Sequence, residues 1–492
     1  MKAYKTNLFI FSIIIVLGIL CYVFPSEGIQ IGTIELEFPS LDDVLGQKED
    51  SSEVITESPE ELLARRLTEM RLQEEAQYLT YFQQNTGRIH FPNDSINMFD
   101  DLFAALDKGG ETRVKILHFG DSQIEEDRIS SMLRSELQSK FGGQGVGIMP
   151  AIQTIPTLSI GQSTDHEMKR HMVYGPVELR DSNNHYGIMG QKAHLDTTVQ
   201  IRFYPRPKIS QNNPSRYFTQ IQVWLGNVSG KLSVHCNGTT LYADTTQEGM
   251  QALTFQLPDS TIRTSLTLQG CGDIYGVSLG SPIGVSVDNI PMRGCSGTIF
   301  TQMNSQEIQQ YCRANNVRLI ILQYGGNSVP YLKKATGISN YAQQLERQIK
   351  YLKRLVPNAE ILFIGPSDMA TKVKSEMQTY PHLPMVVDSI KHAALRAGAA
   401  YWDLYMVMGG KNSMVNWVNS QPPLAASDYV HFSRLGADKI GDMLCKSILL
   451  YYDYYKWRNQ KEVVIDDSCV VNLDSILPTQ QISINTLTQT IP

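Results

Sequence analysis

The chain has 492 residues, of which 42% are hydrophobic and 19% are charged, and this composition is typical of a globular protein with two or three domains. A net charge of −6 gives no basis for binding nucleic acid, so no nucleic acid partner is expected. Seven cysteines are scattered without a Cys-x-x-Cys pair, and we expect no metal ion and no cofactor. Cys236 and Cys271 both lie in β-rich sequence, where they could be paired or free.

Residues 1–25 have the pattern of a membrane-targeting segment. Lys2 and Lys5 precede the apolar run of residues 8–24, which as a helix would span roughly 25 Å. Lysines before the run predict a cytoplasmic N-terminus and an exported chain. No A-x-A-like cleavage site follows the run, which favours an uncleaved anchor, and the alternative is a cleaved signal peptide.

A linker and a helical segment are predicted to follow. Residues 26–57 are polar and acidic without sustained periodicity, which is typical of a linker. In the segment 58–110, Ser58 and Pro59 resemble a helix start, and the helix is expected to run to about Gln84. A shorter helix is predicted over residues 98–106.

Buried strands then alternate with helices, which predicts a parallel α/β sheet. The predicted strands cover residues 114–119, 317–324 and 360–364. The predicted helices cover residues 123–141, 305–314, 341–355, 385–397 and 434–457. We assign residues 111–150 and 284–460 to this domain, and residues 461–492 to a polar tail.

Residues 151–283 have a different pattern. Short segments of alternating apolar and polar residues are separated by turn residues, as in an antiparallel β-sandwich. Two such pairs of segments are 219–226 with 230–238, and 264–272 with 274–280. Because the α/β pattern resumes afterwards, we predict a sandwich domain inserted into the α/β domain.

Ser122 lies where the first predicted strand of the α/β domain gives way to a helix, in the sequence "FGDSQ". A serine there can cap the helix, or it can act as a nucleophile if a base is nearby. His431 and Asp428, in "SDYVHFSRLG", lie just before the last long helix, where one loop could bring both side chains together. Taken alone, the Asp-x-x-His pattern is as expected of a capped, solvent-exposed loop.

Acyl transfer also requires hydrogen-bond donors for the oxyanion. The amide of Ser122 is one candidate. The side chain of Asn327, in "GGNS" after the strand at 317–324, is a second, and the amide of Gly294, in "DNIPMRG", is a third. Individually, Asn327 and Gly294 could equally be ordinary turn residues.

The order of these four motifs resembles that of the SGNH (GDSL-type) hydrolase superfamily. The resemblance implies a flavodoxin-like three-layer α/β/α fold. It also implies that Ser122, His431 and Asp428 are the catalytic residues, and that Ser122, Gly294 and Asn327 form the oxyanion hole. Gln123 and Ser328 depart from the patterns G-D-S-L and G-x-N-D that are frequent in the superfamily. His118 and Asp127, near the serine, are interpreted as structural or supporting residues.

A β-rich segment inserted between the first two motifs resembles the layout of bacterial peptidoglycan O-acetylesterases. In those enzymes the inserted module is similar to carbohydrate-binding modules. We therefore expect a serine esterase that removes acetyl or other short acyl groups from a cell-wall or surface glycan. Its expected place is the periplasmic side of the inner membrane, or the periplasm if the anchor is cleaved. Trp224, Tyr217 and Tyr204 could stack on sugars or belong to the core.

Two other functions stay open. The same triad could transfer acetyl to a sugar hydroxyl, with an integral-membrane acyltransferase as partner and acyl donor. A glycan-binding protein without catalysis is the third reading.

Overall fold

The computed structural model divides the chain into two compact units, residues 1–73 with 474–492 and residues 74–473. The residues that it describes are 2–25, 29–31, 34–36, 39, 44, 59–245, 247, 249–460, 462–466 and 469–472.

The first unit contains the helix Lys2–Val23 and part of the helix Pro59–Gln84. The strands Ile29–Ile31 and Ile34–Leu36 pair antiparallel inside the predicted linker, and most of that linker and Ser58 lie outside the described residues. Among the residues that the structure describes, no helix is long and apolar enough to cross a membrane. The anchor over residues 1–25 stays a prediction.

A six-stranded sheet forms the centre of the second unit. Its strands in spatial order are Gly284–Pro291, Arg113–Gly120, Val317–Gln323, Glu360–Ile364, Ala400–Trp402 and Ile89–His90. The first five are parallel, and the short edge strand is antiparallel. Numbered along the chain, the parallel strands have the order 2-1-3-4-5, which is that of flavodoxin-like folds. The predicted fold class of this part is confirmed.

Helices cover both faces of this sheet. The strand Arg113–Gly120 is buried along seven of its eight residues, as its continuous apolar sequence predicted. Its side chains alternate between two cores: Ile116 shares a buried cluster with Leu133 and Leu444, whereas Leu117 belongs to the opposite cluster with Leu345. The helices of the first cluster are Asp100–Asp107, Arg128–Phe141 and Arg434–Arg458. Those of the second are Ser305–Ala314, Ala335–Leu355 and Leu383–Arg396. Two short helices, Leu404–Val407 and Ser413–Asn419, also belong to this unit, as do the strands Ala370–Val373 and Glu376–Thr379, which pair antiparallel.

The helix predicted to begin at Gln123 begins at Arg128 instead. A 3₁₀ segment, Ser122–Asp127, precedes it, and inside that segment Glu126 has φ 62°. Asp127 follows with φ 64°. Left-handed residues of this kind interrupt a helix, and periodicity does not reveal them.

Residues 147–280 contain nine strands, and every pairing among them is antiparallel. They are Gly147–Met149, Ile160–Thr164, Lys169–Met172, Gln191–Leu195, Val199–Pro205, Gln220–Cys236, Thr239–Tyr242, Gln251–Gln256 and Thr264–Gly280. A buried apolar cluster lies among them and includes Ile201, Val223, Val234 and Leu268. We call residues 147–280 the β region. Its separation as a domain over 151–283 stays a prediction.

The two expected pairs of segments in the β region are two continuous strands of 17 residues each, so the turns predicted between the segments were wrong. Register shifts between Gly226 and Ser229, and between Ser229 and Ser233, accommodate the glycine-rich stretches as bulges. Cys236 lies opposite Leu266 and Cys271 opposite Ser229, and both cysteines are free.

A buried ion pair inside the parallel sheet is also hydrogen-bonded to the β region. Lys115 lies 2.9 Å from Asp288 on the neighbouring strand, and Asp288 also accepts a hydrogen bond from the Tyr311 hydroxyl (2.7 Å) and from the amide of Ile148 (3.1 Å). Trp224 packs against Tyr311, with ring centroids 4.8 Å apart, and is 2% exposed. It is therefore a core residue.

The other two aromatics considered for sugar stacking are also engaged inside the β region. Tyr204 lies against Gly161, where any added Cβ would clash with its ring, although the residue is 40% exposed. Tyr217 donates a hydrogen bond to the carbonyl of Gln211 (2.8 Å).

Of the tail predicted over 461–492, the strands Glu462–Asp466 and Cys469–Asn472 pair antiparallel. The rest of the tail lies outside the described residues.

Candidate active site

Ser122 lies at the carboxyl edge of the parallel sheet, immediately after the strand Arg113–Gly120. Gly120 makes the turn tight, because a Cβ there would meet the side chain of Ile124 at 3.0 Å and the carbonyl of Gln323 at 3.2 Å. Asp121 caps the following 3₁₀ segment and accepts a hydrogen bond from the Gln123 amide (3.0 Å). The serine therefore stands where the strand order reverses, which is where α/β sheets bind their ligands.

Ser122, His431 and Asp428 form one hydrogen-bonded line. The Ser122 Oγ lies 2.8 Å from His431 Nε2, and His431 Nδ1 lies 2.7 Å from Asp428 Oδ2. The serine and the histidine are 309 positions apart in the chain. The structure thus brings together the three residues that the sequence singled out. A base placed on a serine hydroxyl and oriented by a carboxylate is the arrangement that activates serine as a nucleophile.

Asp428 is fixed by its own loop. Its Oδ1 accepts hydrogen bonds from the amides of Val430 (2.9 Å) and His431 (3.0 Å), which leaves Oδ2 for the imidazole. Burial alone would raise the pKa of Asp428, but the hydrogen bonds from His431 and Val430 lower it below its usual value. Asp428 is therefore ionised at neutral pH and can stabilise an imidazolium.

Asn327 lies at the same edge of the sheet, after the strand Val317–Gln323. Its Nδ2 donates to Asp121 Oδ2 (3.2 Å) and to the carbonyl of Cys295 (3.1 Å). Both amide hydrogens of Asn327 are therefore engaged by protein atoms in this structure. Burial raises the pKa of Asp121 to about 6, against the opposing effects of the Gln123 amide and of His431. An oxyanion role for Asn327 requires one of these two hydrogens to turn toward the substrate.

Gly294 lies in a turn in which the amide of Cys295 donates to the carbonyl of Met292 (2.9 Å). Gly294 has φ 75°, and no atom lies within 4 Å of the place where a side chain would begin. The space beside this glycine is open. Its role as an oxyanion donor stays a prediction.

Two side chains close to Ser122 in the chain, those of Gln123 and Arg128, hold the loop that carries His431, and we call them the brace. Gln123 Nε2 donates to the carbonyl of Val430 (2.6 Å), and Arg128 donates to the carbonyls of Phe432 (3.2 Å) and Ser122 (2.7 Å). The brace therefore contacts the residues on both sides of His431. From sequence, Gln123 was noted only as a departure from the G-D-S-L pattern, and Arg128 was missed because no sequence signal reveals a contact with a backbone carbonyl 304 positions away.

His118 and Asp127 do not contact the reacting groups. His118 is fully buried between Gln323 (3.1 Å) and Ser130 (2.9 Å), and burial lowers its pKa to about 4. Asp127 forms a bidentate ion pair with the buried Arg134, at 2.7 and 2.9 Å. Both arrangements agree with the structural interpretation.

Ser122 and His431 open into a cavity of about 240 Å³. Its wall combines amide and hydroxyl groups, from Gln123, Gln323, Asn327 and Ser367, with the rings of tyrosine and proline residues. Among the described residues, no group of histidine, cysteine, aspartate and glutamate side chains is arranged to hold a metal ion. The cavity presents the Ser122 hydroxyl, hydrogen-bonded to His431, beside amide groups and rings.

The fold and this hydrogen-bonded line resemble the arrangement that the order of the four motifs implied. No protein-family model matches the sequence, and no curated protein matches it. A solved structure described as a peptidoglycan O-acetylesterase in action is similar with a TM-score of 0.58, at 19% identity, over 73% of this chain and 96% of that chain. The predicted resemblance is confirmed at the level of the fold.

Two other similar structures have low TM-scores. One is the acetyl xylan esterase AlAXEase, with a TM-score of 0.25 and 15% identity over 33% of this chain and 80% of that chain. The other is the periplasmic domain of a lipopolysaccharide acetyltransferase from Salmonella ser. Paratyphi A. Its TM-score is 0.24 and its identity 14%, over 34% of this chain and 74% of that chain.

Proposed function

We propose that the protein is a serine esterase that removes acetyl or other short acyl groups from a glycan. The observation that carries this proposal is the line from Ser122 Oγ through His431 to Asp428, with distances of 2.8 and 2.7 Å. Its position at the carboxyl edge of a 2-1-3-4-5 sheet and the fold shared with a peptidoglycan O-acetylesterase support it.

The reaction proceeds in two acyl-transfer steps. His431 Nε2 takes the proton of Ser122 as Oγ attacks the ester carbonyl, and Asp428 stabilises the imidazolium that results. The tetrahedral intermediate collapses when His431 returns this proton to the departing sugar oxygen, which leaves the acyl group on Ser122. Water, activated by the same histidine, then attacks the acyl-enzyme and releases the carboxylic acid.

The oxyanion of both steps needs donors that point at it. We assign the amides of Ser122 and Gly294 and the side chain of Asn327 to this task. Asn327 already lies near Ser122, because it donates a hydrogen bond to the preceding residue, Asp121. Since that contact holds one of its two amide hydrogens, substrate binding has to draw one hydrogen away from Asp121 or from Cys295.

The proposed substrate is an acylated cell-wall or surface glycan, and the proposed place of action is the periplasmic side of the inner membrane. The apolar run of residues 8–24 behind Lys2 and Lys5 supports export. Protease digestion of intact spheroplasts tests the location. Loss of the part of the chain that carries Ser122 is expected, and its full protection would contradict export.

The activity is tested on the full chain without knowledge of the substrate. A fluorophosphonate probe is expected to label Ser122, as shown by peptide mapping, and labelling is expected to stop in a His431→Ala variant. Acetate release from O-acetylated peptidoglycan then tests the glycan. An unlabelled Ser122 would contradict the esterase.

Transfer is distinguished from hydrolysis by the fate of the acetyl group. With acetylated donor and an excess of unacetylated glycan, a hydrolase yields free acetate, whereas a transferase yields newly acetylated glycan. Predominant transfer would support the alternative function, with an integral-membrane acyltransferase as the natural donor.

A further inference from the structure

Tyr331 is a large aromatic residue at the cavity of Ser122 and His431, and it is 83% exposed. It ends the 3₁₀ segment Gly326–Tyr331, which also carries Asn327. Among the described residues, none forms a hydrogen bond or a ring contact with the side chain of Tyr331. Its ring therefore offers a free face beside the reacting groups.

Two other tyrosines near this edge of the sheet are buried, and Tyr380, which also lines the cavity, is half-buried. Tyr324 is 1% exposed and Tyr341 is 7% exposed, and the Tyr341 hydroxyl donates to the carbonyl of Ser296 (2.7 Å). Tyr331 differs from them because its ring contributes nothing to the core. An aromatic ring that is kept in water at the rim of a cavity is suited to contact a ligand.

The backbone holds Tyr331 in a fixed relation to the site. The amide of Ser328 donates to Gly325 (3.0 Å), and the amide of Leu332 donates to Ser328 (3.2 Å). Pro330 restricts the preceding backbone dihedral. One hydrogen-bonded turn therefore carries both Asn327 and Tyr331, and a ligand on this ring would be placed relative to the oxyanion site.

The chemistry of the cavity selects the class of ligand. A long acyl chain needs an enclosed apolar channel, whereas this cavity measures about 240 Å³ and is lined by amides and hydroxyls as well as rings. A pyranose ring presents C–H groups on its faces, which suit an aromatic ring, and hydroxyls at its edge, which suit amides and hydroxyls.

We propose that Tyr331 is the platform on which a sugar ring of the substrate stacks while its acyl group reaches Ser122. This inference rests on the proposed function and names the contact that makes the esterase prefer sugar esters. Tyr331 acts in substrate binding and takes no part in proton transfer.

The test compares a sugar ester with an ester that has no ring, using the full chain. In a Tyr331→Ala variant, kcat/KM for glucose pentaacetate is expected to fall about tenfold, as expected for the loss of one aromatic contact. For ethyl acetate kcat/KM should change less than twofold. Tyr331→Phe keeps the ring and should keep the preference for the sugar ester. Tyr81→Ala removes a tyrosine that is 53% exposed on the helix Pro59–Gln84 and serves as the control.

Binding is measured separately from catalysis. Glucose pentaacetate is titrated calorimetrically into Ser122→Ala, and the added Tyr331→Ala change is expected to raise Kd about tenfold. Three results would contradict the proposed role of Tyr331: an unchanged Kd, undetectable binding to Ser122→Ala, or an equal fall in kcat/KM for both esters. The proposed function is contradicted by a different result, which is that the fluorophosphonate probe does not label Ser122. In that case the titration still tests whether Tyr331 binds the sugar ester.

Discussion

The parallel sheet and the β region each hold an aspartate–histidine pair, and the two pairs differ in the residues that surround them. At the edge of the parallel sheet, Asp428 lies 2.7 Å from His431, whose other ring nitrogen reaches Ser122. In the β region, Asp273 lies 2.9 Å from His194. A hydrogen-bonded aspartate and histidine are therefore not enough to define a catalytic site.

The environment of each carboxylate explains the difference. Asp273 is 3% exposed and also accepts hydrogen bonds from Lys192 (2.8 Å) and Asn227 (2.7 Å), and these partners lower its pKa against the effect of burial. It is the centre of a closed cluster. Asp428 has a half-exposed side chain and gives one oxygen to the imidazole of a histidine that faces a cavity. The first arrangement stabilises the fold, and the second can move a proton.

The largest effect is expected from Ser122→Ala. Without the hydroxyl no acyl-enzyme forms, and kcat for ester hydrolysis should fall about 10⁴-fold or more. Acetate release under saturating substrate measures it. The matched control is His194→Ala, which removes the histidine of the other pair and should leave kcat within about twofold. Comparable falls in kcat in both variants would contradict the claim that only the pair beside Ser122 takes part in catalysis.

Asp428→Asn should come next, with a drop in kcat of about 10³- to 10⁴-fold at neutral pH. The amide can still accept from the backbone, but it cannot stabilise the imidazolium, and it favours the wrong tautomer of His431. Thermal unfolding should change little because the side chain of Asp428 is half exposed. A large fall in Tm with an unchanged kcat would show that Asp428 is structural, as Asp273 is.

Asp273→Asn should give the opposite result: little change in kcat for ethyl acetate and a loss of about 2 kcal/mol in stability, since the buried Lys192 would keep only Asp181 as an ionised partner. Urea unfolding measures the loss. The folded-state pKa of Asp273 is depressed, so its contribution is present above the unfolded pKa, near 3.8, and is lost as the pH falls through the folded value. The stability difference between wild type and variant should therefore narrow below about pH 4. A stability difference that persists at pH 2 would show that the charge of Asp273 is not its cause.

The parallel sheet and the β region also differ in how well the sequence predicted their elements. The strand Glu360–Ile364 and the helix Ser305–Ala314 were predicted with their observed ends, because buried parallel strands and amphipathic helices have strong periodic patterns. In the β region the strands Gln220–Cys236 and Thr264–Gly280 were each predicted as two. A glycine in a bulge has the same sequence signature as a glycine in a turn, and only the partner strand distinguishes them.

At the site, the order of the motifs predicted that Ser122, Asn327, Asp428 and His431 lie at one edge of the sheet, and the structure places them there. The orientation of Asn327 toward Asp121 was not predictable, since it depends on a contact between residues 206 positions apart. The brace was missed for the same reason. Sequence patterns thus predict candidate site residues, whereas the contacts that orient those residues depend on the fold.

The brace gives the smallest expected effect. In Gln123→Leu the carbonyl of Val430 loses its 2.6 Å donor, while the side chain keeps its size and the site keeps every reacting group. A hydrogen bond of about 1 kcal/mol lost from the positioning of His431 should lower kcat, and the rate of fluorophosphonate labelling, about fivefold. KM for ethyl acetate should not change.

The matched control for the brace lies in the β region, where Gln162 makes the same kind of contact. Its Nε2 donates to the carbonyls of Pro150 (3.0 Å) and Ala151 (2.8 Å). Gln162→Leu should lower Tm by a similar amount as Gln123→Leu and leave the labelling rate unchanged. If both variants slow labelling equally, general loosening of the unit is the cause. If only Gln123→Leu slows labelling, the effect arises from the orientation of the His431 imidazole. The same kind of hydrogen bond would then affect catalysis beside the parallel sheet and only stability in the β region.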